Sequence, residues 1–143
     1  MKKMRLIFLL MFCTASCSLI LNDSKLSDSD LDYIQKLGLL NDNEKLLLFS
    51  TSMNIKTSGN LITDYRIASY WVDKDESKSY KEFAYYSDIV NIESVDNTQA
   101  WTYSSYLLIT RKDNSTFKLY IDGDKEKYRS FIKVANAKWG ENK

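Results

Sequence analysis

The chain has 143 residues, 44% of them hydrophobic and 27% charged, with 20 Lys and Arg against 19 Asp and Glu and no histidine. The near balance of charge and the lack of a long basic run argue against nucleic acid and against electrostatic adsorption to anionic lipid. Without histidine the usual general base, the usual zinc ligand and every Ser-His-Asp or Cys-His arrangement are missing, and four glycines (Gly38, Gly59, Gly123 and Gly140) do not make a phosphate-cradling loop.

The chain opens on Lys2, Lys3 and Arg5, then an apolar run from Leu6 to Cys13, then Thr14-Ala15-Ser16-Cys17. A charged start, a short hydrophobic stretch and small residues before a break mark a secretory signal peptide, and the apolar run is far below the roughly 18–20 residues of a spanning helix. Small residues directly before a cysteine resemble the lipobox of bacterial lipoproteins, with Thr14 standing where that family usually carries an aliphatic residue. The resemblance implies that residues 1–16 are removed and that Cys17 becomes the lipidated first residue. The alternative is an ordinary cleaved signal with Cys17 unmodified. Two acyl chains hold a protein stably on a bilayer, each buried CH₂ contributing about 0.8 kcal/mol. Cleavage takes away Cys13, three cations and no acids, which leaves a net charge of −2 and no second cysteine for a disulfide. Ser18 is compatible with sorting to an outer membrane facing the periplasm where the cell has two membranes. Residues 17–28 are short and polar and read as a tether that reaches at most about 40 Å.

The folded domain is expected over residues 29–143. Ser27 or Asp28 offers an N-cap, Leu31, Ile34 and Leu37 recur at helical spacing, and Gly38 supplies a stop, so a short helix is expected over 29–37. The run from Asp28 to Asp32 matches the first ligands of a calcium loop only superficially, because Tyr33 stands at the required glycine and Leu39 at the required glutamate. From Leu46 the apolar period becomes two, which predicts strands over 46–55, 61–63 with 65–72, 80–86, 89–95, 101–111 and 116–121. Thr57-Ser58-Gly59-Asn60 reads as a turn, residues 73–79 as a charged loop and Asp113-Asn114 as a hairpin connection. Asp124 is a credible N-cap for a last helix to about Lys138, whose stripe is Tyr128, Phe131, Ile132, Ala135 and Trp139. The order is an α+β domain: a short helix, about seven antiparallel strands and one amphipathic helix.

The stretch from Ser58 to Tyr70 resembles a recurrent pattern of bacterial PH-like and GRAM-like domains, in which a turn glycine precedes an apolar residue, a threonine and an arginine in the next strand. The segment Tyr86-Ser87-Asp88-Ile89-Val90-Asn91-Ile92 is similar to that family's lead into its next strand, and residues 116–138 to its closing strand and helix. The resemblance covers roughly residues 44–138 and implies a PH-like antiparallel β-barrel closed by the C-terminal helix, used as a binding scaffold. Phosphoinositide binding does not carry over, because the first hairpin offers only Lys56 and Arg66 as cations.

Ten tyrosines favour protein contact, since tyrosine supplies rigid amphipathic area, although it is also simply a good strand residue. Tyr70 and Tyr120, expected on the face away from the core, are the candidate interface residues. Arg66, inside an apolar strand, either holds an anionic group or pairs with a local acid such as Asp64 or Asp88. No spacing brings Glu76, Asp88, Glu93 and Asp96 together as catalytic acids, and Asp122-Gly123-Asp124 is explained by a turn and a cap. No catalytic residue, metal or cofactor is therefore expected. The expected role is a non-catalytic module binding an envelope protein or peptide. A periplasmic immunity or inhibitor lipoprotein and a carrier of a small molecule or lipid inside the barrel are the competing readings.

Overall fold

A computed structural model describes residues 20–21, 26–100 and 103–142; the signal segment, Cys17 and Trp101 lie outside the described residues. Strand β1 (Ile20–Leu21) precedes helix α1 (Asp28–Lys36). Strands β2 (Leu46–Ser50), β3 (Ser58–Thr63), β4 (Arg66–Trp71) and β5 (Tyr80–Tyr85) follow, then β6 (Ile89–Val95), β7 (Ser105–Arg111), β8 (Thr116–Ile121) and helix α2 (Lys125–Glu141). Single 3₁₀ turns occupy Glu76–Lys78 and Tyr86–Asp88. Among the described residues no helix is long and apolar enough to cross a membrane.

All pairings are antiparallel, and they form two sheets, β1-β2-β3-β4-β5 and β6-β7-β8. The expected closure into one barrel is therefore corrected: the sheets are not joined by a backbone ladder. Arg111 reaches across one seam to the Phe83 carbonyl, with Nε at 3.1 Å and Nη2 at 3.0 Å. On the other seam Asn60 Nδ2 donates to the Tyr120 carbonyl at 2.6 Å. Side chains thus close gaps that a barrel would close with strands.

Helix α2 starts where the sequence places it, with Asp124 accepting from the Lys127 N–H at 2.9 Å. Tyr128, Phe131 and Ala135 bury one stripe against Ile62, Ile67, Leu107, Ile109 and Leu119 between the sheets. Trp139 donates through Nε1 to the Ile89 carbonyl at 3.1 Å and locks the last turns of α2 to β6.

A second cluster lies on the other face of the larger sheet, where Ile34, Leu39 and Leu40 pack on Leu46, Phe49, Leu61, Ala68 and Tyr70. Helix α1 is only nine residues long, and three devices fix it there. Ser27 and Asp30 form a reciprocal capping box. At the C-terminus Gly38 adopts φ +77°, its N–H bonding to the Gln35 carbonyl and that of Leu39 to Ile34. Tyr33 Oη donates to the Lys56 carbonyl at 2.9 Å. With both faces covered, β4 is buried along almost its whole length.

The covered second face changes three expectations. Tyr70 is not solvent-facing but 1% exposed, packed under α1 with its hydroxyl donating to the Ile55 carbonyl at 2.5 Å. The first strand ends at Ser50 rather than continuing to residue 55, with a register irregularity between Leu46 and Leu48. Gly59 lies inside β3 and not in a turn, because Tyr70 and Phe49 close over it. The expected tether also differs, since Ile20 pairs with Ser50 and Leu21 with Phe49.

A Cβ on Gly59 would lie 2.5 Å from Tyr70 Cε1 and 2.6 Å from Phe49 Cε2. Gly59→Ala is therefore expected to destabilise the domain by about 1–3 kcal/mol in urea unfolding, as overpacking does in a dense core. An unchanged or higher midpoint would contradict the packing of Tyr70 across β3.

Candidate functional site

Arg66 is the first residue of β4, and its side chain is 2% exposed, as is that of Glu44. The two form a bidentate pair, Nε to Oε1 at 2.8 Å and Nη2 to Oε2 at 2.6 Å. Glu44 also accepts from Thr63 Oγ1 at 2.5 Å and from the Asn41 N–H at 3.2 Å. Arg66 Nη1 donates to the Gly38 carbonyl at 3.2 Å. The acid that neutralises Arg66 is therefore Glu44, not Asp64 or Asp88. Every carboxylate oxygen carries two donors, so Glu44 is a structural counter-ion and not a free base.

The guanidinium also packs against two neighbouring aromatic rings, with Cζ 5.1 Å from the centroids of both Phe83 and Tyr85. Those two rings meet edge to face at 5.5 Å. The β3–β4 hairpin turns through Asp64 and Tyr65, and it is held from three sides. Asp64 exchanges hydrogen bonds with Lys45, Thr63 Oγ1 accepts from the Arg66 and Tyr65 N–H groups, and the Tyr65 carbonyl accepts from the Tyr86 N–H. Beneath it Tyr86 Oη donates to the Thr63 carbonyl at 2.7 Å, and burial followed by the charges of Asp64 and Glu44 pushes that phenol well above its ordinary pKa.

Two grooves flank Tyr65 and Tyr85. One, of about 500 Å³, runs past Gln35, Leu40, Asn41 and Asn43 over the top of Glu44. The other, of about 420 Å³, runs past Asp64, Ser87 and Asn142. Tyr65 is 59% exposed and Tyr85 is exposed as well. Among the described residues no lysine or arginine lines either groove, whereas Asp42 and Asp64 do. The arrangement offers exposed tyrosine rings, of which Tyr85 is held against Arg66 and Phe83, with side-chain amides and a negative rim.

The residues expected as a site do not come together. Arg66 lies inside the clamp, and Tyr70 lies at the other end of β4. Tyr120 does face outward, on the smaller sheet, with its ring 5.8 Å from Tyr106 and Lys118 Nζ 4.4 Å from the Tyr106 ring. Tyr70 and Tyr120 border one small cleft of about 210 Å³, to which the buried Tyr70 adds almost no surface. Sequence reasoning missed Glu44, Tyr65 and Tyr85. The available signals were a lone acid between the polar run Asn41-Asp42-Asn43 and the apolar run from Leu46, and an aromatic residue at a hairpin tip.

A solved structure of a DUF1696 family protein with a pleckstrin-homology domain, from Shewanella loihica PV-4, superposes with a TM-score of 0.51. The match covers 78% of this chain and 92% of that one at 16% sequence identity. The fold is PH-like. No protein-family model and no curated protein matches the sequence. In this PH-like domain the two sheets pack around α2, and α1 adds a cover on the outer face of the larger sheet.

Removing one partner of the clamp leaves an uncompensated buried charge. Glu44→Gln or Arg66→Met alone is expected to cost about 3–5 kcal/mol, and the pair Glu44→Leu with Arg66→Met to recover most of that loss. Urea midpoints of the three variants check this; single variants as stable as the wild type would contradict the burial of the pair.

Proposed function

We propose that the chain is a lipoprotein of the bacterial envelope, anchored through Cys17, whose PH-like domain is a non-catalytic module that docks a protein segment beside Tyr65 and Tyr85. The anchoring half rests on the order of residues 2–17. The docking half rests on one observation: two exposed tyrosines, one of them packed on the guanidinium of a buried ion pair, stand between two grooves. Rigid aromatic area loses little conformational freedom on binding, which is why such residues carry binding energy at interfaces. Asn41, Asn43 and Gln35 offer the paired donors and acceptors that a peptide backbone needs. Asp42 and Asp64 favour a segment that carries Lys or Arg. No catalytic step is assigned, and Glu44, which lines one groove, is consumed by its four hydrogen bonds.

Selection of displayed peptides on the purified domain, followed by fluorescence anisotropy, tests the docking half. The expected ligands are basic segments with an apolar or aromatic residue. Tyr65→Ala and Tyr85→Ala should each weaken them about tenfold or more, as loss of an interface anchor does, while Tyr120→Ala leaves them unchanged. Binding that depends on Tyr120 and not on Tyr65 or Tyr85 would move the site to the smaller sheet. For the anchoring half, Cys17→Ser should release the protein from membranes, and absence of labelled palmitate from the wild type would overturn it.

A further inference from the structure

The pairing of β1 with β2 fixes where Ile20, three residues from Cys17, lies on the domain. Ile20 lies opposite Ser50 and Leu21 opposite Phe49, in antiparallel register. Ile20 therefore sits at the end of the sheet that carries the β2–β3 connection, residues 51–57. Two residues, Ser18 and Leu19, separate Ile20 from Cys17, so the Cα of Cys17 lies within about 11 Å of that of Ile20.

From this geometry, and resting on the anchoring half of the reading above, we infer that the domain is held with its 51–57 end against the phospholipid headgroups and its Tyr65 end pointing away from the bilayer. The occupant of the 51–57 end is the surface of the membrane that holds the acyl chains. Met53, at the tip of that connection, is 62% exposed, and Lys56 beside it is exposed as well. A thioether and an ammonium are suited to a headgroup layer, where one contacts acyl chain tops and the other phosphate. The connection is rigid. Tyr33 holds the Lys56 carbonyl, the buried Tyr70 holds the Ile55 carbonyl, and the Asn54 carbonyl accepts from both Thr57 and Ser58. The β4–β5 connection shares this end, since Ser58 pairs with Trp71 and Trp71 with Tyr80, but it lies farther from the anchor. It carries Asp73, Asp75 and Glu76 with Lys74 and Lys78, a mixed and net acidic set that gains nothing from an anionic surface. The edge that touches down is therefore the one beside β1.

The opposite end of the same sheet bears Asp64, Tyr65 and Tyr85, because Thr63 and Arg66 close the β3–β4 hairpin there and Arg66 pairs with Tyr85. Six residues of β3 separate the two ends by about 20 Å. The orientation frees both grooves for a partner approaching from the compartment.

The test uses the acylated protein in phospholipid vesicles. Cys17 has no free thiol once acylated, so Met53→Cys and Tyr65→Cys take single fluorescent labels, and headgroup-nitroxide lipids report proximity. The expected result is several-fold stronger quenching at position 53 than at 65, and loss of that contrast when a flexible Gly-Ser segment of about twenty residues is inserted after Ser18. Equal quenching at the two positions in protein shown by mass spectrometry to be acylated would overturn the orientation and leave the anchor standing. An unacylated Cys17 would overturn both.

Discussion

The ion pair between Glu44 and Arg66 is the constraint on which the candidate site depends. It joins three segments that are distant in sequence: the loop after α1 through Gly38 and Asn41, the start of β4, and the β3–β4 hairpin through Thr63. Burying two charges costs several kcal/mol per ion, and only good geometry with every donor and acceptor satisfied offsets that cost. The pair meets this condition with a bidentate contact, a threonine hydroxyl, a backbone N–H and a helix-end carbonyl. Its effect is on uniqueness more than on stability. A nine-residue helix has little tendency to form alone, and an apolar stripe could slide along a sheet, whereas a directional clamp at its C-terminal end admits one register.

The clamp also connects packing to function. Because the carboxylate neutralises the guanidinium in its own plane, Phe83 and Tyr85 can pack together against it, and Tyr85 is held in one place. In the proposed reading, the exposed tyrosines at one end of the larger sheet and Ile20 at the other give the domain two ends with different tasks. The open seams between the sheets, bridged by Arg111 and Asn60, allow this division. The five-stranded sheet keeps its own edge strand, β1, and does not use it to close a barrel.

Much of the fold was legible because it is local. Strands β6 and β8 have the limits that alternation predicts, and α2 begins at the expected cap with Tyr128, Phe131 and Ala135 in the stripe. Asn114 adopts φ 66°, which the Asp113-Asn114 connection requires. The site was less legible because it is made of long-range pairings. Nothing within a window around Tyr70 indicates that α1 covers it, since α1 lies more than thirty residues away. Ile67 packs in the core under α2, and the opposite face of the strand, with Ala68 and Tyr70, is a second core rather than solvent. Gly59 was read as a turn residue on composition, when a ring from β4 and another from β2 decide its size. Glu44 is an unremarkable acid until Arg66, twenty-two residues later, arrives beside it.

In the proposed reading the domain's two ends meet different environments, and a photoreactive amino acid placed at single positions in the living cell reads this most directly. At position 65 the expected product is an adduct with another envelope protein, and at position 53 an adduct with phospholipid. Lipid adducts at position 65, or protein adducts at 53 with none at 65, would contradict it.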